Sequence, residues 1–171
     1  MAVCASSIEM VQTKGAPPHF IPPGPIARAV NRFYGWLTRL GLSPPYSFLL
    51  SVAGRRTGET RSVPVNLLRQ NGKLFLVATR GNTQWARNAR ASGKLTLIRG
   101  RLRTQFSLRM VPDSDKPAVL QSYLSRFQWM AGRFFPVGAG SPLAAFKSIA
   151  ARYPVFELIQ VRSESPPESR Q

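Results

Sequence analysis

Apolar residues recur along the chain with two periods, and the change of period divides it. Ile26, Val30, Phe33, Leu37 and Leu40 fall on one face of a helix over 25–41, with Arg28, Asn31, Arg32, Thr38 and Arg39 mostly off that face. Gly41 ends it. From Ser47 the pattern becomes that of strands. A mostly buried strand over 47–53 leads into a tight turn over 54–60. A second strand covers 61–69, with Pro64 implying an edge or a bulge because proline has no donor for a ladder. Asn71-Gly72 is a two-residue hairpin signal, followed by a strand over 73–79. A helix follows over 83–91, closed by Ser92-Gly93. Segments 94–99 and 101–110 form a hairpin around Gly100. A helix over 112–129 starts near Asp113 and Asp115, and 130–142 is a loop rich in glycine and aromatics. A short helix over 142–152 and a strand over 154–161 complete the pattern.

About six strands joined by hairpins, with few helices, predict a mainly β architecture with flanking helices (α+β): a closed or partly split barrel with helices at its rim. The ends differ. Residues 1–24 hold Pro17, Pro18, Pro22 and Pro23 without periodicity and read as a flexible lead-in. Residues 163–171 are mostly Ser, Pro and Glu and read as a disordered tail. One domain over 25–162 remains, carrying the amphipathic helix at its start. With 171 residues the chain suffices for one core.

Charge changes the picture more than size does. The net charge is +17, from 24 basic and 7 acidic residues; 19 of the basic residues are Arg and 5 are Lys. Arginine presents a planar fork of donors suited to phosphate and carboxylate, so an anionic partner is implied: nucleic acid, an anionic membrane face or a phosphorylated or polycarboxylate small molecule. The helix over 25–41, with Arg, Trp36 and Phe33, suits either a barrel flank or peripheral contact with a membrane. No apolar stretch reaches the roughly 20 residues of a span, and no secretory signal is apparent. The single cysteine, Cys4, forms no internal disulfide, which fits a cytoplasmic protein.

The missing residue types narrow the chemistry. The one histidine, His19, sits among prolines, and the seven acids are scattered as Glu9, Glu59, Asp113, Asp115, Glu157, Glu164 and Glu168. No carboxylate pair, metal-ligand cluster or Ser/His/Asp set can be assembled, so an enzyme built on this chain needs a cofactor to carry the reaction.

Three segments could serve one. In Gly54-Arg55-Arg56-Thr57-Gly58-Glu59-Thr60-Arg61, backbone N–H groups, hydroxyls and guanidinium forks converge on a turn, as an anion site requires; an ordinary solvated basic turn would read the same. In Val77-Ala78-Thr79-Arg80-Gly81-Asn82 a strand ends and its backbone opens before a helix, where ligands often bind, though a plain connection has the same composition. In Trp85-Ala86-Arg87-Asn88-Ala89-Arg90-Ala91, helical spacing puts Trp85 and Asn88 on one face, suited to a ligand or simply to a core.

Taken in order, these segments, with Arg-Ser-Val-Pro-Val at 61–65, resemble the deazaflavin-dependent nitroreductase family, over roughly residues 28–160. Its members use coenzyme F420 on a split β-barrel of the same broad type as the flavin mononucleotide (FMN)-binding barrels. The resemblance implies that Arg55, Arg56, Thr57 and Arg61, with Ser62, grip the phosphate and glutamate tail of the cofactor. It implies that the backbone of Val77, Ala78, Thr79 and Arg80 lies along the deazaflavin ring. It implies that Gln84, Trp85, Ala86, Arg87 and Asn88 close the site. The run from Gly81 to Trp85 is shorter than in some members, and the acceptor-pocket tyrosines of the best-known members have no clear match. Tyr123, Phe127, Phe134 and Phe135 are the aromatic candidates for that wall.

The function expected from this resemblance is hydride transfer between reduced F420 and a small conjugated acceptor, quinone-like or nitro, with the proton from solvent. Two other readings stay open at the level of sequence. The same charge and aromatics would suit a nucleic-acid-binding barrel, although no ribonucleoprotein or cold-shock motif is present. A basic turn could also hold FMN, or the barrel could take haem or a lipid.

Overall fold

The structure, a computed structural model, describes residues 44–161. Helix 25–41 and both predicted tails lie outside the described residues. Six strands form a closed antiparallel barrel: β1 (Ser47–Ala53), β2 (Thr60–Gln70), β3 (Lys73–Val77), β4 (Lys94–Arg99), β5 (Leu102–Met110) and β6 (Val155–Gln160), in the order β1-β2-β3-β6-β5-β4. Three α-helices lie between them in sequence: α1 (Gln84–Ser92), α2 (Lys116–Ala131) and α3 (Leu143–Ile149). Short 3-10 turns follow α2 and α3 at Gly132–Phe134 and Ala150–Arg152.

Strand alternation sorts the side chains into two cores. Leu50, Val52, Leu76, Leu95, Leu97, Phe106, Phe156 and Leu158 point inward and fill the barrel. On the outside, Leu68, Phe75, Val77 and Val155 meet Leu120, Tyr123, Leu124 and Phe127 of α2 and Phe146 of α3. Local signals account for the connections. Asn71 and Gly72 take φ of 50° and 73°, as a tight hairpin matched to strand twist requires. Thr83 caps α1 by accepting from the N–H of Ala86, and Gly93 ends it with φ 65°.

Helix α2 departs from expectation at both ends. It begins at Lys116 rather than near Pro112, with Pro117 in its first turn. Asp115 makes no side-chain cap bond, and Asp113 instead pairs with the buried ammonium of Lys116 at 2.6 Å. Phe127, at φ −121°, kinks it near its C-terminal end, where Met130 and Ala131 turn toward the barrel opening.

Strand β2 creates that opening. Residues 60–66 pair with β1, whereas residues 67–70 pair with β3. The N–H of Leu67 donates to Tyr46 O on the β1 side, so by alternation the backbone edges of Ser62, Pro64 and Asn66 face away from β1. Pro64 therefore sits where its missing donor leaves the β1 ladder intact, and the edge predicted from it is the lip of a cleft. The β2–β3 ladder stops at Leu67 and Leu76, and Asn66 and Val77 both border the space beyond.

Candidate active site

The cleft holds two adjoining basins. One, of about 370 Å³, lies between the free edge of β2 (Arg61–Asn66), the end of β3, the start of α1 and the end of α2. The other, of about 350 Å³, is bordered by Gly54, Arg55, Arg56, Thr57, Arg61, Gln84 and Asn88. Arg61, Gln84 and Asn88 belong to both, so the basins are continuous. Each is within the size range of small-molecule sites, and neither is lined by a carboxylate.

The basic basin is built by a turn that bonds to itself and to α1. The N–H of Gly54 donates to Glu59 O and the N–H of Gly58 to Gly54 O, both at 2.8 Å. Gly58, at φ 70°, closes the loop; a Cβ on Gly54 would approach Glu59 O to 3.1 Å. Arg55 then crosses to the helix, where its Nη1 donates to Gln84 Oε1 at 3.1 Å and to Asn88 Oδ1 at 3.0 Å. Arg61 pairs with Glu59 at 3.4 Å on the exposed rim. The guanidinium of Arg56 borders the basin exposed and outside every ion pair among the described residues.

The second basin has the more apolar lining. Trp85 rests on Phe156 of the barrel core, ring centroids 5.7 Å apart, and borders the cleft from α1. Val77 and Thr79 supply the end of β3, where Ala78 N–H is held by Pro154 O at 2.9 Å. Val63, Pro64 and Val65 form the opposite wall. Tyr123 is buried at the back, and burial pushes its phenol up to about 12, opposed by a hydrogen bond from Asn66. At the mouth, the guanidiniums of Arg80 and Arg133 both lie over the ring of Phe134, at 4.6 and 4.8 Å from its centroid. Tyr153 holds this mouth in place: its hydroxyl donates to Phe134 O at 2.6 Å and its ring stacks on Phe135 at 4.4 Å.

The residues singled out from sequence divide accordingly. Arg55, Arg56, Thr57, Arg61, Ser62, Val77, Thr79, Arg80, Gln84, Trp85, Asn88, Tyr123 and Phe134 border the cleft. Ala78 and Ala86 are buried in the barrel core, and Phe127 and Phe135 in the outer core, so their side chains do not line it. Arg87 lines neither basin and has its Nε buried without a partner. Val63, Pro64 and Val65, which the sequence offers only within the run 61–65, and Asn66, Thr83, Met130, Ala131 and Arg133 complete the lining without having been assigned to it. Pro64 carried a signal for the first four of these, since it marked a strand with a free edge.

The fold and cleft define a small β-barrel protein with a ligand site, in which a basic turn adjoins a largely apolar, backbone-edged slot. The model of the F420H(2)-dependent quinone reductase family matches residues 27–128, and the chain belongs to that family. It is an F420-dependent oxidoreductase, and of the ligands compatible with its sequence, membership selects coenzyme F420. No curated protein matches the chain.

Similar solved structures include the F420-H2 dependent reductase FDR-A, at 19% identity over 67% of this chain and 95% of that one, with a TM-score of 0.46. A protein of unknown function, Atu2129 from Agrobacterium tumefaciens str. C58, is 16% identical over 88% of this chain and 60% of that one, with a TM-score of 0.49. The heme storage protein HutZ from Vibrio cholerae is 10% identical over 69% and 83%, with a TM-score of 0.48. Among the described residues, no helix is long and apolar enough to cross a membrane, and no group of His, Cys, Asp and Glu could hold a metal ion.

Proposed function

We propose that the two basins bind the two ends of one molecule of F420, and that a quinone-like acceptor enters over the ring from the side of Tyr123, Met130 and Phe134. The observation that carries this is their continuity through Arg61, Gln84 and Asn88. A cationic basin joined to a largely apolar one fits an elongated ligand with an anionic tail and an apolar, conjugated head. The donor set suits that cofactor: guanidiniums and a threonine hydroxyl at one end, aromatic and aliphatic walls with free strand edges at the other.

Bound there, the reduced deazaflavin supplies a hydride, which explains how a cleft without an acid or base can serve a redox reaction. The chain's own groups do the rest by placement. Arg56 and Arg61 meet the tail with charge-assisted hydrogen bonds. Arg55 holds the turn against α1, so the distance from tail site to ring site is set by the fold. Trp85, backed by Phe156, and the backbone at Val77 and Thr79 fix the plane of the ring, and the aromatic wall excludes water from the acceptor side. Such orientation supplies much of the rate in transfers of this kind.

Titration of the purified protein with F420 and, separately, with FMN, followed by fluorescence, tests the reading. Micromolar or tighter binding of F420 with weaker FMN binding is expected. Binding of FMN alone would keep the barrel and overturn the cofactor assignment. Binding of neither would overturn the two-basin site.

A further inference from the structure

Arg80 and Arg133 share one feature that the F420 site does not use. Both guanidiniums stack on the same ring, that of Phe134, and both border the apolar basin at its acceptor side. Neither forms an ion pair among the described residues, and no carboxylate lines the basin. They come from separate elements, Arg80 from the segment after β3 and Arg133 from the turn after α2, yet they converge. Burial, then the charge of Arg133, lowers the pKa of Arg80. Two cations brought together in a partly dehydrated mouth repel one another. The ring quadrupole of Phe134 offsets part of that repulsion. The remainder is relieved by an anion bound at the mouth.

We propose that Arg80 and Arg133 form an anion clamp that selects acceptors carrying a negative group, a carboxylate, sulfonate or acidic hydroxyl, on a planar conjugated ring. The inference rests on the F420 reading, since it concerns the acceptor that the reduced cofactor meets. The anionic group meets the two guanidiniums at the mouth, and the ring extends inward toward Tyr123 and Met130. The quinone takes up two electrons and one hydrogen as hydride from the reduced cofactor, one of its oxygens becomes negative, and a solvent proton completes the hydroquinone. The clamp sets which quinone is held, and the anion it grips is present before and after the reaction.

Binding without turnover isolates the clamp from redox potential. Calorimetric titration of F420-loaded protein with 2-naphthalenesulfonate, and with the neutral 2-naphthalenesulfonamide of nearly the same shape, compares charge alone. The sulfonate should bind at least about tenfold more tightly, as loss of a charge-assisted contact is worth that much or more. Arg133→Met should remove this preference while leaving the sulfonamide within about twofold. Arg133→Lys should restore part of it. Because Arg133 is exposed, these variants are expected to fold, and F420 affinity by fluorescence serves as the control. Equal binding of the two probes by the unaltered protein, or equal weakening of both by Arg133→Met, would overturn the clamp. Failure of the unaltered protein to bind F420 at all would instead overturn the reading on which it rests.

Discussion

Arg55 is tied to Asn88 by two donors on one oxygen. Its Nη1 donates to Asn88 Oδ1 at 3.0 Å and its backbone N–H to the same atom at 3.4 Å. The two residues are 33 apart in sequence, and Asn88 is buried. One amide therefore locks the basic turn between β1 and β2 onto helix α1, where the two basins meet.

Asn88→Ala should separate them. The substitution leaves the Arg55 donors without their main acceptor, a loss of about 1–3 kcal/mol for a buried partner. Urea unfolding should show a loss in that range, and F420 affinity should fall about tenfold because the turn is no longer held in register. An unchanged F420 affinity in a folded Asn88→Ala protein would mean that the tie is structural only.

Arg56→Ala should behave in the opposite way. The side chain is exposed and outside any ion pair among the described residues, so stability should move by less than about 0.5 kcal/mol. Cofactor affinity should nevertheless fall about tenfold or more, from the loss of one charge-assisted contact. The slope of log Kd against log salt should also flatten relative to the parent, as one fewer cation meets the tail. Parallel slopes for the two proteins would exclude Arg56 from the tail site.

Tyr123 predicts a pH effect of definite sign. Its phenol keeps its proton to about 12 in the folded protein, against 10.0 for the free group. Between these values the unfolded chain binds fewer protons than the native one, so stability present below pH 10 is lost as pH rises toward 12. Tyr153, also raised by burial, contributes with the same sign. Tyr123→Phe should reduce the steepness of alkaline unfolding, by on the order of 2 kcal/mol between those limits. Its activity profile between pH 6 and 9 should keep the parent's shape. Loss, in Tyr123→Phe, of an inflection that the parent shows in that window would mean that the phenol ionises during the reaction.

Tyr153→Phe tests the acceptor mouth. The lost hydroxyl donates to Phe134 O at 2.6 Å, so the ring under Arg80 and Arg133 should become less well placed. A stability loss of about 1 kcal/mol is expected, with a rise in KM for the quinone and little change in F420 affinity. A change confined to F420 affinity would assign this wall to the cofactor instead.

Local pattern alone determined much of the architecture. Alternation and turn residues delimit the strands to within a residue or two, because Asn71-Gly72, Ser92-Gly93 and Pro64 act through their own backbone preferences. The basic turn and the Trp85/Asn88 face were equally legible, since each is a contiguous run whose residue types state their chemistry. The scarcity of acids and histidine points to a cofactor on composition alone. The helix over 112–129 was less well delimited, because its start depends on Lys116 finding Asp113 and on Val111 pairing with Val155, not on the two aspartates acting as caps.

Only the tertiary structure decided which residues meet. Nothing in the run 54–61 says that Arg55 faces Asn88 and Gln84 while Arg56 stays outside any ion pair. Nothing in 130–135 says that Arg133 shares a ring with Arg80, which lies on another element. Ala78, Ala86, Phe127 and Phe135 belong to promising segments, yet strand alternation and helix rotation turn them into the two cores. The division has a physical origin. Turn chemistry and periodicity are short-range and are written in neighbouring residues. The cleft arises from a register, with β2 passing from one partner strand to another, and a register is a property of chains already packed together.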